Sequence, residues 1–224
     1  MKKYAIIVAG GSGQRMSSLI PKQFLQINTE IILMKSIRAF FNYDQSINLI
    51  VALPENQIEY WKKLCVQNNF NIDHKVVAGG KTRFHSVKNA LKEISTDGIV
   101  AIHDGVRPLV SQETIDNVFE IAITNGNAIP YIDSIDSIRI IESSSNKPID
   151  RDKIKLIQTP QAFDCKLILN AYEQDWHENF TDDANVVEKM GKQINLVPGN
   201  KENIKITNQA DLIIAEALSN YLSV

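Results

Sequence analysis

Short apolar runs that stop at glycine or proline set the rhythm of this chain. Residues 4–9 (YAIIVA) are unbroken apolar and end at Gly10-Gly11, the pattern of a strand buried on both faces. Residues 49–53 stop at Pro54, and residues 99–102 close at His103-Asp104-Gly105 in the same way. Between them lie stretches with helical spacing: residues 33–41, 55–68, and about 82–94 after Gly79-Gly80. A further helix runs to about residue 124, with Ser111 as its N-cap. Residues 75–78 and 128–131 read as strands. Strands alternating with helices at this rhythm predict an α/β fold, a mostly parallel sheet with helices on both faces.

The pattern changes after Asp133. Residues 137–142 and 154–158 are strand-like, and Ser143-Ser144-Ser145-Asn146-Lys147-Pro148 between them has turn chemistry. This predicts a β-hairpin arm at about residues 134–158, rising from a single domain that spans 1–224. Helices at about 165–172 and 183–190, a strand at 194–197 and a last helix from Asn208 complete the reading.

Composition narrows the function classes. A net charge of -2 over 224 residues gives no basic footprint for nucleic acid and no charge excess for a membrane surface. Any anionic substrate must therefore be met by locally placed cations. No apolar stretch reaches bilayer length, and the opening Lys2-Lys3 leads into a strand-length run rather than a signal peptide. Cys65 and Cys165 have no CxxC or Cys/His pattern around them, so they read as reduced, structural thiols of a cytoplasmic protein.

The candidate chemistry begins at Gly10-Gly11-Ser12-Gly13-Gln14-Arg15, directly after the first predicted strand. Glycines there let backbone N–H groups approach a polyphosphate closely. An ordinary tight turn would use them too. A dinucleotide fingerprint would want glycine where Met16 stands, and a Walker loop would want a Gly-Lys-Ser/Thr that is absent. Arg15 in the loop and Lys22 seven residues on sharpen the signal. Phosphoryl chemistry on a nucleoside triphosphate needs positive charge where negative charge develops. Asp104 ends a predicted buried strand, where open parallel sheets place ligand groups, and a carboxylate near a triphosphate suits Mg²⁺.

Ala9-Gly10-Gly11-Ser12-Gly13-Gln14-Arg15-Met16 with Pro21-Lys22-Gln23 resembles the signature of the nucleotidyltransferases that activate sugars and polyols. Four further stretches resemble the 2-C-methyl-D-erythritol 4-phosphate cytidylyltransferases of isoprenoid biosynthesis. They are Gly79-Gly80-Lys81-Thr82-Arg83-Phe84-His85-Ser86-Val87, His103-Asp104-Gly105-Val106-Arg107-Pro108, Gln158-Thr159-Pro160-Gln161-Ala162-Phe163, and Thr181-Asp182-Asp183 with Glu202-Asn203-Ile204-Lys205-Ile206-Thr207. The ordered set runs from residue 4 to about 216.

The resemblance implies a Rossmann-like fold, a homodimer formed through the hairpin arm, and transfer of CMP from CTP to a phosphorylated polyol with Mg²⁺. It assigns the nucleotide to Ala9, Gly10, Gly11, Ser12, Gly13, Gly80, Ser86 and Gly105. Asp104, Arg107, Arg139, Thr159 and Thr181 fall to the acceptor, and Asp104 also to the metal. Arg15 and Lys22 would stabilise developing charge, while Arg151 and Lys205 orient the acceptor phosphate. Read without the resemblance, Lys205 is a solvent-facing strand lysine between Ile204 and Ile206. Arg139 depends on aligning Asp136-Ser137-Ile138-Arg139 with the family's Asp-Thr-x-Lys, and Asp133-Ser134 offers a second register. Lys81 replaces an acidic residue that some members carry, and Gly105-Val106 replaces the more usual Ala-Ala. Two rivals stand beside this reading: a ribitol-5-phosphate cytidylyltransferase and a non-catalytic nucleotide-sensing domain.

Overall fold

The computed structural model of the chain describes residues 1–10 and 20–222. Its elements follow in order β1 (Lys3–Val8), β2 (Gln26–Ile27), β3 (Glu30–Ile31), α1 (Ile32–Tyr43), β4 (Asn48–Leu53), α2 (Ile58–Gln67) and β5 (Lys75–Ala78). Next come α3 (Arg83–Leu91), β6 (Ile99–Asp104), α4 (Gln112–Asn125) and β7 (Asn127–Asp133). The second half holds β8 (Ile138–Glu142), β9 (Ser145–Ile149), β10 (Lys155–Ile157), β11 (Gln161–Asp164), α5 (Cys165–Ala171), α6 (Asp183–Glu188), β12 (Leu196–Pro198) and α7 (Gln209–Tyr221).

The main sheet runs β10-β7-β11-β6-β1-β4-β5, with β12 beside β7. Strands β6, β1, β4 and β5 are parallel, whereas β11 is antiparallel to both neighbours and β10 to β7. The alternation of side chains along β1 divides the core in two. Ala5 and Ile7 face Leu33, Ile37 and Phe40 of α1, Trp61 of α2 and Phe119 of α4. Tyr4, Ile6 and Val8 face Phe84 and Val87 of α3, Ile168 of α5 and Val186 of α6. Helices therefore cover both faces, as the sequence pattern predicts. Ser111 caps α4, its hydroxyl accepting from the Thr114 N–H at 3.0 Å.

Two local expectations are corrected. The strand-like residues 154–158 do not return along the hairpin; β10 joins the main sheet against β7. The arm is β8 paired with β9, in register from Ile138↔Ile149 to Glu142↔Ser145. Only Ser143-Ser144 turn, with Ser143 at φ 46°, so Lys147-Pro148 belongs to a strand. Proline is tolerated there because this two-stranded arm is all edge. Residues 161–164, which the sequence pattern assigns to no element, form β11 between β6 and β7.

Register along the parallel strands decides where a ligand can sit. Val8 lies level with Ala52 and with Asp104, and Leu53 with Ala78. The chain beyond each end continues the ladder: Ala9 N–H donates to the Ala52 carbonyl at 2.9 Å, Gly105 N–H to Val8 at 2.9 Å, and Gly79 N–H to Leu53 at 2.7 Å. The carboxyl ends of β1, β4, β5 and β6 thus form one row, the place where open α/β sheets bind ligands.

Candidate active site

Gly11, Ser12, Gly13 and Arg15 lie outside the described residues. Lys22 is placed through its neighbour. Gln23 is buried, and its side-chain NH₂ donates to the Ala9 carbonyl at 3.1 Å and to Gln57 Oε1 at 2.7 Å. This pins the Lys22–Phe24 turn of 3-10 helix to the end of β1, one residue from Lys22.

Asp104 is the electrostatic centre of the row. Lys205 Nζ lies 2.9 Å from its Oδ2 and Arg107 Nε 3.5 Å from the same oxygen, while Arg83 Nε lies 3.4 Å from Oδ1. Burial alone would raise the carboxyl's pKa, but Arg83, Lys205 and Arg107 together hold it well below the usual carboxylate range. Asp104 is therefore an anion at every physiological pH. Lys205 arrives on an irregular extended segment rather than a strand, yet the expected alternation holds. Ile206 is buried and its N–H donates to Val106 at 2.9 Å, so Lys205 points the other way, into the cleft.

A hydrogen-bonded chain fixes the backbone around this carboxylate. His103 is fully buried, and its Nε2 lies 3.0 Å from the Arg107 carbonyl, which can only accept. The ring proton therefore sits on Nε2, and Nδ1 accepts from the Thr159 hydroxyl at 3.1 Å. That hydroxyl oxygen in turn takes the Asp104 N–H at 3.0 Å. Burial pushes the imidazole down to about 4, which keeps it neutral. Arg107 Nη1 donates to the Asn203 carbonyl at 2.7 Å, and Asn203 Nδ2 to the Thr159 carbonyl at 2.8 Å. Asn203 Oδ1 is buried without a partner among the described residues.

Arg83 carried no role in the sequence reading, although it lies in a quoted motif. Its Nη1 and Nη2 grip Asp183 at 2.8 and 2.6 Å. Asp183 is fully buried and also accepts from the Tyr172 hydroxyl at 2.6 Å. Gln161 completes the bracket: its Oε1 accepts the N–H groups of Asp183 and Ala184 at 3.0 and 2.9 Å, and its NH₂ donates to Asp182 at 2.9 Å. One signal was present in the sequence. A cation in the first turn of a helix opposes the helix dipole, so Arg83 at the start of α3 needs a carboxylate partner.

The other expected site residues divide into two groups. Gly80 and Ser86 meet at the start of α3, where Gly80 N–H donates to Ser86 Oγ at 3.0 Å and that hydroxyl donates to the Thr82 carbonyl at 3.0 Å. A Cβ on Gly80 would stand 2.4 Å from the His85 Cβ, so only glycine fits. Gly10 lies against the same hydroxyl. Gly105 packs under the row, where a Cβ would meet Leu33 at 3.0 Å and Ala9 at 3.1 Å. Thr181 precedes the α6 cap, its hydroxyl donating to Asn185 at 2.7 Å, two residues from Asp183. Arg139 and Arg151 are not brought to Asp104 within the chain. Arg139 lies on the exposed arm against Asn146, and Arg151 donates to the Ile135 carbonyl at 2.9 Å.

The site therefore gathers cations around one buried carboxylate at the carboxyl ends of the parallel strands. Comparison with known proteins agrees. The sequence model of the 2-C-methyl-D-erythritol 4-phosphate cytidylyltransferases, IspD, matches residues 4–220. A cytidylyltransferase of that name from Phocaeicola vulgatus is 47% identical over 218 residues, covering 97% of this chain and 100% of the relative. One from Clostridium botulinum is 40% identical over 220 residues, covering 96% and 98%. The crystal structure of 4-diphosphocytidyl-2C-methyl-D-erythritol synthase from Anaerococcus prevotii superposes with a TM-score of 0.83 at 29% identity, covering 100% of this chain and 96% of that one. The Thermus thermophilus cytidylyltransferase gives 0.79 at 28% identity, covering 98% and 100%. With the match running through every strand end that builds the site, the chain belongs to the IspD family of 2-C-methyl-D-erythritol 4-phosphate cytidylyltransferases.

Proposed function

We propose that this chain transfers CMP from CTP to 2-C-methyl-D-erythritol 4-phosphate, releasing pyrophosphate and 4-diphosphocytidyl-2-C-methyl-D-erythritol. The observation that carries the reading is the clustering of Lys205, Arg107 and Arg83 on Asp104 at the carboxyl ends of the parallel strands. An oxygen of the acceptor phosphate attacks the α-phosphorus of CTP. The bond from that phosphorus to the bridging β-oxygen breaks, and its electron pair leaves on pyrophosphate. No covalent enzyme intermediate is needed. The backbone N–H groups after β1 cradle the triphosphate, and Lys22 and Arg15 meet the charge that grows on the α-phosphoryl and the leaving group. Lys205 and Arg107 orient the acceptor phosphate, with Thr159 and Thr181 nearby. The family match favours the methylerythritol acceptor over ribitol 5-phosphate and a catalyst over a nucleotide sensor.

Asp104 is a suitable ligand for Mg²⁺. It is ionised and stands at the row, and Mg²⁺ commonly takes one or two carboxylates with phosphate oxygens from the substrate. Among the described residues no three His, Cys, Asp or Glu side chains group as a metal site, so the triphosphate would supply the remaining oxygens. When bound, Mg²⁺ neutralises charge on the phosphoryl oxygens.

The working unit in this reading is a homodimer. The arm β8–β9 forms a two-stranded sheet of its own, and such a hairpin is marginal in water. Ile135 and Ile141 are 75% and 73% exposed, and Leu156 and Ile157 on β10 are 46% and 37% exposed. A second copy covering them would bury this surface and bring Arg151 to the neighbouring site. A cytoplasmic setting follows from the need for CTP. It also suits Cys65 and Cys165, free thiols that burial pushes up to about 11 and about 12. No helix among the described residues is long and apolar enough to cross a membrane. Pyrophosphate release tests the reading: Mg²⁺-dependent turnover is expected with CTP and methylerythritol phosphate, and faster turnover with ribitol 5-phosphate would overturn the acceptor.

A further inference from the structure

The three cations on Asp104 are not equivalent. Lys205 is 42% exposed in its side chain and reaches Asp104 through a flexible stem. Arg107 spends Nη1 on a backbone carbonyl and offers Nε to the carboxylate. Arg83 is different in kind. Both of its terminal NH₂ groups are committed to Asp183, which has no exposed surface and is itself held by Tyr172 and by the Gln161 bracket. Swinging Arg83 towards a substrate would strand a buried carboxylate, so only its Nε is available, and that faces Asp104.

We propose that Arg83 is a positioning residue, the resident counter-ion of Asp104, whose charge frees Lys205 to leave that carboxylate for the incoming acceptor phosphate. This rests on the reading of Lys205 as an acceptor-phosphate contact. A phosphate dianion entering the cleft competes with Asp104 for Lys205 and draws it off. Without Arg83, Arg107 would be the only cation of the protein itself left on Asp104, and each cation given to the phosphate would be taken from a carboxylate that still needs it. With Arg83 fixed by Asp183, Asp104 keeps its charge and place while Lys205 changes partner. Arg83 touches neither substrate; it acts through Asp104.

A double-mutant comparison on acceptor binding tests this. The perturbation is the paired replacement Arg83→Gln with Asp183→Asn, which removes both charges together and leaves no buried ion alone. Acceptor affinity is measured by calorimetry on the full-length protein, with methylerythritol phosphate and a non-hydrolysable CTP analogue, so turnover is not required. The pair should weaken acceptor binding about tenfold when Asp104 is present and less than about twofold in an Asp104→Asn background, where no carboxylate competes for Lys205. Arg83→Lys, which keeps a cation, should lose less than the pair. Equal losses in both backgrounds would show a general structural effect and overturn the proposal, as would no loss beside Asp104. Lys205→Ala separates the underlying reading: if it leaves acceptor affinity unchanged, the assignment of Lys205 fails whatever Arg83 does.

Discussion

Replacing His103 with asparagine should flatten the acid limb of the stability curve. The buried imidazole is fully used while neutral, donating from Nε2 to Arg107 and accepting at Nδ1 from Thr159, with Phe40 packed edge-on against the ring. Above pH 6.5 neither the folded nor the unfolded chain protonates this group, so it adds no pH dependence. Below 6.5 the unfolded chain takes up a proton that the folded chain refuses until about pH 4. Unfolding is therefore increasingly favoured across that window. Each pH unit is worth about 1.4 kcal/mol, so the full interval costs on the order of 3 kcal/mol at pH 4. Because the ring has no exposed surface, solvent screening takes little from this figure. Asp104 does not interfere, since its cations hold it below the usual carboxylate range and its own contribution is lost only at lower pH. Urea unfolding at pH 7 and pH 4.5, for the natural chain and for His103→Asn, gives the difference directly. The variant should be less stable at pH 7 but lose less on acidification. Parallel losses in the two proteins would refute the reasoning.

Lys22→Ala should lower kcat by roughly 10²–10³ with a much smaller change in the KM for CTP, because backbone contacts to the ground-state phosphates remain; steady-state pyrophosphate release reads both. Gly80→Ala drives a Cβ into His85 at the start of α3. It should cost about 1–3 kcal/mol in urea unfolding, the usual penalty of overpacking, and raise the KM for CTP. Mixing Lys22→Ala with Arg151→Ala under conditions of subunit exchange should restore about a quarter of the natural activity if Arg151 acts across a two-fold interface. Near-zero activity would place Arg151 in its own subunit's site.

What could be read from the sequence follows the range of the interactions involved. The buried strands β1, β4 and β6 stand out because each is a continuous apolar run with a glycine, proline or charged stop, and α4 because Ser111 caps it locally. β11 could not stand out. Four residues are too few to show alternation, and the chain passes straight from Phe163 to the Asp164 cap of α5. The arm was misaligned because Pro148, which normally ends strands, sits on an edge where its missing N–H costs nothing. Asp104, Arg107, Thr159 and Lys205, which the motifs assign to one site, lie together in the structure, since strand end and motif point to one row. The Arg83–Asp183 pair spans 100 residues, and only the unfavourable place of Arg83 on its helix hinted at it. Arg139 and Arg151 lie on or beside the arm, where their partners within the chain are Asn146 and the Ile135 carbonyl rather than Asp104.

The central claim is direct displacement at the α-phosphorus of CTP by the acceptor's phosphate, and an isotope experiment followed by ³¹P NMR tests it. The enzyme is given CTP, Mg²⁺ and 2-C-methyl-D-erythritol 4-phosphate carrying ¹⁸O in its phosphate. The account expects a diphosphate diester with ¹⁸O in the new bridge, formed in step with unlabelled pyrophosphate. Unchanged CTP, CMP released without a diester, or label in the pyrophosphate would contradict it.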